Sequence, residues 1–356
     1  MTKKNAEEVQ NIADQIEKGI EEKDSRDLEF TSYGSDIFDL IAGGGAPFSK
    51  MINLVGDSSS GKTFLACELI AQAKKKYGKN LVYVLDDAES GFSLNSNQLW
   101  GFDMVTPDMP RSSTVEEFAL NMSRTIEKLR PGQKLIYVLD SFDNLSSVAE
   151  QQEFEEKIAA VEKEKKIAGS YGQGKSKMTN QFFRVMANEI CDKEVLLVLI
   201  SQIRENLSAG MFGSKYYRAG GKSIDFMAAQ IFWINIAEKY IKKETPIGVC
   251  IQIKNTKSKT GKPFRHGFLD LYYDYGVDNT SSNIKYLYSL KTDLGKDIGK
   301  LTKMELDWDG IKYTFPDLIN YIEQNELESE LTRRVQKKWN DFEDEISHSA
   351  GRKSKF

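Results

Sequence analysis

The sequence predicts an α/β fold in which a mostly parallel central sheet is covered by helices on both faces and extended at one edge by antiparallel hairpins. Three observations predict it. Apolar, β-rich runs at 51–55, 81–85, 135–139 and 195–200 lack polar alternation, as strands buried on both faces require. Stretches of helical periodicity separate these runs, the pattern of strand–helix–strand units. Further runs at 231–236, 249–253 and 267–272 follow without long helices between them, which suits hairpins on one edge.

The flanks differ from this core. Residues 1–29 are rich in Lys and Glu, with Val9, Ile12, Ile16 and Ile20 at helical spacing. They read either as an amphipathic helix packed on its own domain or as an arm for oligomerisation that docks on a neighbouring subunit. The core extends over 30–278. From 279 to 356 the chain reads as a small α-rich C-terminal domain. One apolar face there comprises Phe315, Leu318, Ile319 and Ile322, and another comprises Leu331, Val335, Trp339, Phe342 and Ile346. The last residues, 351–356, form a basic tail.

Bulk composition excludes several classes. With 40% hydrophobic and 29% charged residues, the 356-residue chain is an ordinary globular protein, one large domain with appendages. A net charge of −4 provides no global basic field, so any nucleic-acid contact must come from local loops. Cys67, Cys191 and Cys250 are far apart and form no CxxC pair, which predicts reduced, mostly buried thiols. His266 and His348 have no metal-ligand spacing. No apolar run is long enough for a membrane helix, so a cytoplasmic location is expected.

The stretch GDSSSGKT at 56–63 carries the first chemistry. It fits the phosphate-binding pattern G-x-x-x-x-G-K-[ST] and lies between an apolar strand and an apolar helix, the context that pattern needs. Gly56 and Gly61 let the backbone curl, so that the N–H groups of Asp57, Ser58, Ser59 and Ser60 face phosphate oxygens. The helix beginning near Lys62 adds its partial positive charge. Lys62 would reach the β- and γ-phosphates of ATP, and the Thr63 hydroxyl would ligate Mg²⁺. A second metal-holding carboxylate should end a neighbouring buried strand, and Asp140 does so. Hydrolysis also needs a group that activates water. Asp86, Asp87 and Glu89 follow another core strand, and Glu89 is the candidate base.

The order of these motifs resembles the RecA-type recombinase core over about 30–278. The resemblance rests on FTSYGSDIFDLIAGGG at 30–45, DAE at 87–89, LWGFD at 99–103 and LDSFDNL at 139–145. Most specific are LISQIR at 199–204, MFG at 211–213 and AGGKSIDF at 219–226. The flavour is that of divergent phage recombinases of the UvsX kind. The resemblance implies that Gln202 senses the γ-phosphate and acts in catalysis with Glu89 and Lys62. It implies a first DNA loop at about 168–178, with Lys175 and Lys177, and Arg184 on the helix that follows. The second DNA loop, about 203–222, carries Arg204, Met211, Phe212, Lys215, Tyr216, Tyr217, Arg218, Gly220, Gly221 and Lys222. Cations beside aromatic and apolar groups are what a single-strand binder needs. Lys254 and Lys257 or Lys259 resemble lysines that reach a neighbour's ATP, and Phe226 matches an interface phenylalanine. Two departures stand out. The segment SGFS after Glu89 lacks the acid and aromatic that flank adenine in the bacterial protein, and Asp225 stands where a basic residue is expected.

The expected function is therefore an ATP-dependent recombinase. It would form helical filaments on single-stranded DNA, pair the strand with homologous duplex DNA and exchange strands. Single-strand-binding and loader proteins would be its partners. The alternative is a RecA-fold motor or ring ATPase that remodels DNA without strand exchange.

Overall fold

The computed structural model describes residues 28–161, 173–205, 216–218, 221–290 and 304–347. Residues 1–27 of the expected arm (1–29), part of the first loop (168–172), most of the second loop (206–215 and 219–220) and the tail lie outside them. In chain order the elements are β1 (Phe30–Thr31), α1 (Asp36–Ala42), β2 (Ala46–Pro47), β3 (Lys50–Gly56), α2 (Lys62–Tyr77), β4 (Leu81–Asp87) and α3 (Ser96–Trp100). There follow α4 (Val115–Glu127), β5 (Lys134–Asp140), α5 (Val148–Val161), α6 (Gln173–Asp192), β6 (Val195–Glu205), β7 (Tyr216–Arg218) and α7 (Gly221–Met227). Next come β8 (Gln230–Lys242), β9 (Thr245–Ser258), β10 (His266–Tyr272), β11 (Gly276–Asp278) and α8 (Asn279–Leu287). The described chain closes with β12 (Leu306–Trp308), β13 (Ile311–Tyr313), α9 (Phe315–Gln324) and α10 (Glu328–Glu345).

The main sheet runs β11-β10-β9-β8-β3-β6-β5-β4, with β7 paired to β6 outside that order. Strands β4, β5, β6, β3 and β8 are parallel. Strands β9, β10 and β11 extend the β8 edge in antiparallel pairs, as the sequence predicts. The unbroken apolar runs have a simple cause. Ile52 and Leu54 of β3 point into a cluster with α1 and α2, while Met51 and Val55 point into another with α4, α6 and α7. Successive side chains of a strand face opposite sides, so covering both sides calls for apolar residues at nearly every position, with the hydrogen-bonded Asn53 the buried polar exception within β3.

Helix starts are set locally. Thr114 accepts from the Glu117 N–H at the start of α4, Asp278 accepts from Ser281 at α8, and Thr314 accepts from Asp317 at α9. The β8–β9 hairpin runs well beyond the apolar stretches that announce it. It turns at Lys243 and Glu244, whose φ angles of 50° and 64° suit a tight hairpin turn without the usual Asn-Gly signal.

The C-terminal elements join the core directly. Leu306, Trp308, Leu318, Ile322, Leu331, Val335 and Trp339 belong to the same buried cluster as Ile52 and Leu54. Asp36 of α1 reinforces this junction by accepting from Asn279, Asn283 and Thr332. The predicted face of α10 is buried through Trp339, but Phe342 and Ile346 are half exposed. They line an apolar groove of about 610 Å³ with Phe264 and Phe268. Cys67 and Cys250 are buried free thiols, Cys191 is partly covered, and burial pushes the Cys250 thiol up to about 12.

Candidate active site

The carboxyl ends of the parallel strands bring the predicted residues together. Gly56 at the end of β3 pairs with Gln202 in β6, and Asp87 at the end of β4 pairs with Asp140 at the end of β5. The chain then curls through 57–61 into α2, with Ser59 at φ 60° and Gly61 at φ 91°. A side chain at Gly56 would meet the Ile234 carbonyl and the Ser60 hydroxyl at 2.5 Å each, so only glycine lets the loop fold back here. The Ser60 Oγ is buried and has no hydrogen-bond partner among the described residues.

Lys62 sits inside the loop rather than on the surface. Its Nζ donates to the Asp57 carbonyl at 2.6 Å, and only 7% of the residue is exposed. Burial lowers its ammonium below the ordinary lysine range, while the charges of Asp140 and Glu89 oppose that shift. The Thr63 hydroxyl donates to Asp140 Oδ2 at 2.5 Å. Burial raises the Asp140 carboxyl to about 6, the Thr63 bond opposing and the Glu89 charge adding. A hydroxyl and a carboxylate held together at a phosphate loop form an oxygen-only donor set, which suits a hard cation such as Mg²⁺ that keeps most of its waters. The orphaned Ser60 hydroxyl and the side-chain-free approach at Gly56 fit a bound phosphate chain.

Glu89 is the hub of the edge. Its Oε1 accepts from Ser141 Oγ at 2.7 Å and from Gln202 Nε2 at 2.5 Å, and its backbone N–H donates to the Asp140 carbonyl at 3.2 Å. The neighbouring acids have other tasks. Asp87 accepts from the N–H groups of Gly91 and Phe92 and so shapes the loop after β4. Asp86 does not reach the edge, because it faces inward to Ser112 and the Tyr137 hydroxyl. Alternation along β4 puts the two carboxylates on opposite faces.

The expected DNA residues divide. Lys177 and Arg184 are exposed on α6. Lys175 is turned inward instead, donating to the carbonyls of Phe142 at 2.8 Å and Asp143 at 3.2 Å. Arg218 is likewise withdrawn, its side chain 6% exposed and paired with Asp225 at 2.5 Å. This pair accounts for the acid where a base was expected. Arg204 lies in β6, Tyr216 and Tyr217 form β7 with Arg218, and Gly221 and Lys222 open α7. Met211, Phe212, Lys215 and Gly220 fall outside the described residues. Lys254 is exposed on β9, whereas Lys257 and Lys259 donate to carbonyls at the end of α7, both reaching Phe226 at 3.2 Å. Phe226 itself is 74% exposed.

Sequence reasoning missed Ser141, which holds Glu89, and Asp143, which accepts from the Gln202 N–H at 2.7 Å. Both stand in the LDSFDNL stretch, so proximity to Asp140 was the available signal.

Residues 8–278 match the family model described as the RecA N-terminal domain. A relative named Protein RecA from Acholeplasma laidlawii is 27% identical over 258 residues, covering 71% of each chain. Another, from Agrobacterium fabrum, is 28% identical over 259 residues, covering 71% of this chain and 65% of its own. A crystal structure of the RadB recombinase superposes with a TM-score of 0.48 at 16% identity, covering 70% of this chain and 98% of that one.

Proposed function

Because the chain belongs to the family defined by the RecA N-terminal domain, we propose that it is an ATPase acting on DNA, and more specifically a recombinase. It would polymerise on single-stranded DNA as a helical filament, pair that strand with homologous duplex and exchange strands. In this reading residues 1–29 are the oligomerisation arm, 30–278 the ATPase core with both DNA loops, and 279–356 an accessory region. A cytoplasmic setting, a phage-type origin similar to UvsX, and single-strand-binding and loader partners belong to the same proposal. Among the described residues no helix is long and apolar enough to cross a membrane.

One observation carries the reading. Gln202, three residues before the end of the strand that runs directly into the basic, tyrosine-bearing loop, donates to the candidate base Glu89. A side chain so placed can link the hydrolytic centre to a DNA contact. The backbone N–H groups of 57–61 and the Lys62 ammonium would hold the phosphates of ATP. Thr63 and Asp140 would hold Mg²⁺, which when bound supplies charge neutralisation at the transferred phosphoryl group. Glu89 would orient water and take its proton. Gln202 would give up its bond to Glu89 when a nucleotide fills the site, and β6 would carry that change toward 203–222.

The candidate lysines at this edge divide by register: Lys254 pairs with Trp233, which pairs with Val55 beside the phosphate loop. Ser258 pairs with Gln230, which pairs with Ile52, so Lys257 and Lys259 lie toward the far end of β3 from the loop. The stretch from Ile52 to Gly56 spans about 13 Å at roughly 3.3 Å per residue. Lys257 and Lys259 are thus poorly placed for their own loop, and in this reading a neighbour's loop is the one they would serve.

The test is ATP turnover with and without single-stranded DNA, filament imaging, and a D-loop assay, on wild type and Lys62→Ala. DNA-stimulated turnover, filaments and D-loops, all lost in Lys62→Ala, are expected. Rings without D-loops would establish the motor reading instead.

A further inference from the structure

A buried polar chain crosses the centre of the molecule outside the phosphate loop. Arg218, the last residue of β7, donates through one guanidinium nitrogen to Asn53 Oδ1 and through the other to Asp225 Oδ1. Asn53 is fully buried in the middle of β3, where its neighbours Met51 and Val55 on the same face are core residues. Its Nδ2 donates to the Leu199 carbonyl and to Ser201 Oγ, both at 2.9 Å. Ser201 immediately precedes Gln202, and Asp225 belongs to α7, the helix that leaves the second loop. An arginine fork has a fixed planar geometry, so it holds two acceptors in one relative position, which a lysine cannot do. Burying a charge and an amide inside an apolar layer is costly unless each is bonded, so a shift of either end disturbs the whole chain.

We infer that Arg218 is a positioning residue that locks α7 to the strand segment carrying Gln202, so that the Gln202–Glu89 contact and the exit of the second loop are set together. This rests on the proposed reading of Gln202 as the link between hydrolysis and DNA. It assigns Arg218 a role inside the protein rather than at the DNA backbone, and it makes Asp225, 57% exposed on its side chain, the far anchor. The amide of Asn53 is the joint: its oxygen takes the arginine while its nitrogen holds β6.

The experiment measures ATP turnover as a function of single-stranded DNA concentration for wild type, Asp225→Asn, Arg218→Met, Arg218→Lys and the Arg218→Met/Asp225→Asn double variant. Asp225→Asn, a change at an exposed side chain, should leave DNA-free turnover within about twofold of wild type and lower the plateau of DNA stimulation roughly threefold to tenfold. Arg218→Met should lower that plateau at least as much, Arg218→Lys should restore little of it, and the double variant should be no worse than Arg218→Met. Three results would overturn the inference. One is a plateau unchanged in Asp225→Asn. Another is a double variant whose losses multiply. The third is an Arg218→Met enzyme that reaches the wild-type plateau at higher DNA concentration, which would make Arg218 a DNA contact. If Arg218→Met fails to fold, Asp225→Asn decides alone. Wild type lacking DNA stimulation would instead remove the functional reading on which the inference rests.

Discussion

Two clusters around buried carboxylates stand in this fold and behave as opposites. Asp270, only 1% exposed in β10, accepts from the Tyr240 hydroxyl and the Lys285 ammonium at 2.5 Å each and from Ser281. Its donors come from β8 and from α8, so the cluster ties the antiparallel edge to the C-terminal elements. Asp140 lies at the open end of β5, where among the described residues the Thr63 hydroxyl donates to it and a second carboxylate, Glu89, hangs from the loop after β4. Burial without saturating donors raises Asp140 to about 6. A saturated buried acid is a joint, and an under-supplied one at a sheet edge is poised for a ligand.

Substitutions can break or sharpen this contrast. The largest effect is expected for Glu89→Gln, which should lower DNA-dependent ATP turnover by roughly 10²–10⁴-fold while the denaturation midpoint stays near wild type. Turnover that survives would show that the edge is another joint. Asp270→Asn should do the reverse. It strands the Lys285 charge among buried groups and should cost about 3 kcal/mol in urea unfolding, while turnover per folded molecule is retained. Lost turnover at full stability would dissolve the distinction between the clusters.

The smallest effect tests a third acid, Glu343 of α10. Hydrogen bonds from Arg265 and then Lys262 hold the Glu343 carboxyl down to about 2, below its ordinary 4.5. Because the folded value is depressed, its stabilisation is complete above pH 4.5 and fades as pH falls toward 2. Glu343→Gln should therefore cost about 1–2 kcal/mol at pH 7, and wild type and variant should converge at the acid end of a pH–stability series. A gap independent of pH would assign the loss to packing.

Much of the fold was legible because the apolar runs of β3, β4, β5 and β6 have one physical meaning, burial on both faces. The phosphate loop was legible because GDSSSGKT between such a strand and a helix is a short-range pattern. The roles of the cations were not. Lys175 and Arg218 read as surface charges in glycine-rich surroundings, yet one caps the carbonyls of Phe142 and Asp143 and the other crosses to Asn53. Nothing near them in sequence announces acceptors that lie far along the chain.

The sequence by itself therefore determined the layers of this protein, the strands, the loop at 56–63 and the candidate acids, since each depends on residues within a few positions of one another. Only the tertiary structure decided which acids share an edge, which lysines and arginines face inward, and that Gln202 bonds Glu89. Those outcomes depend on strand order and on the face to which each alternating side chain is turned. Both are settled when distant segments pack, because a buried charge goes where a partner can meet it.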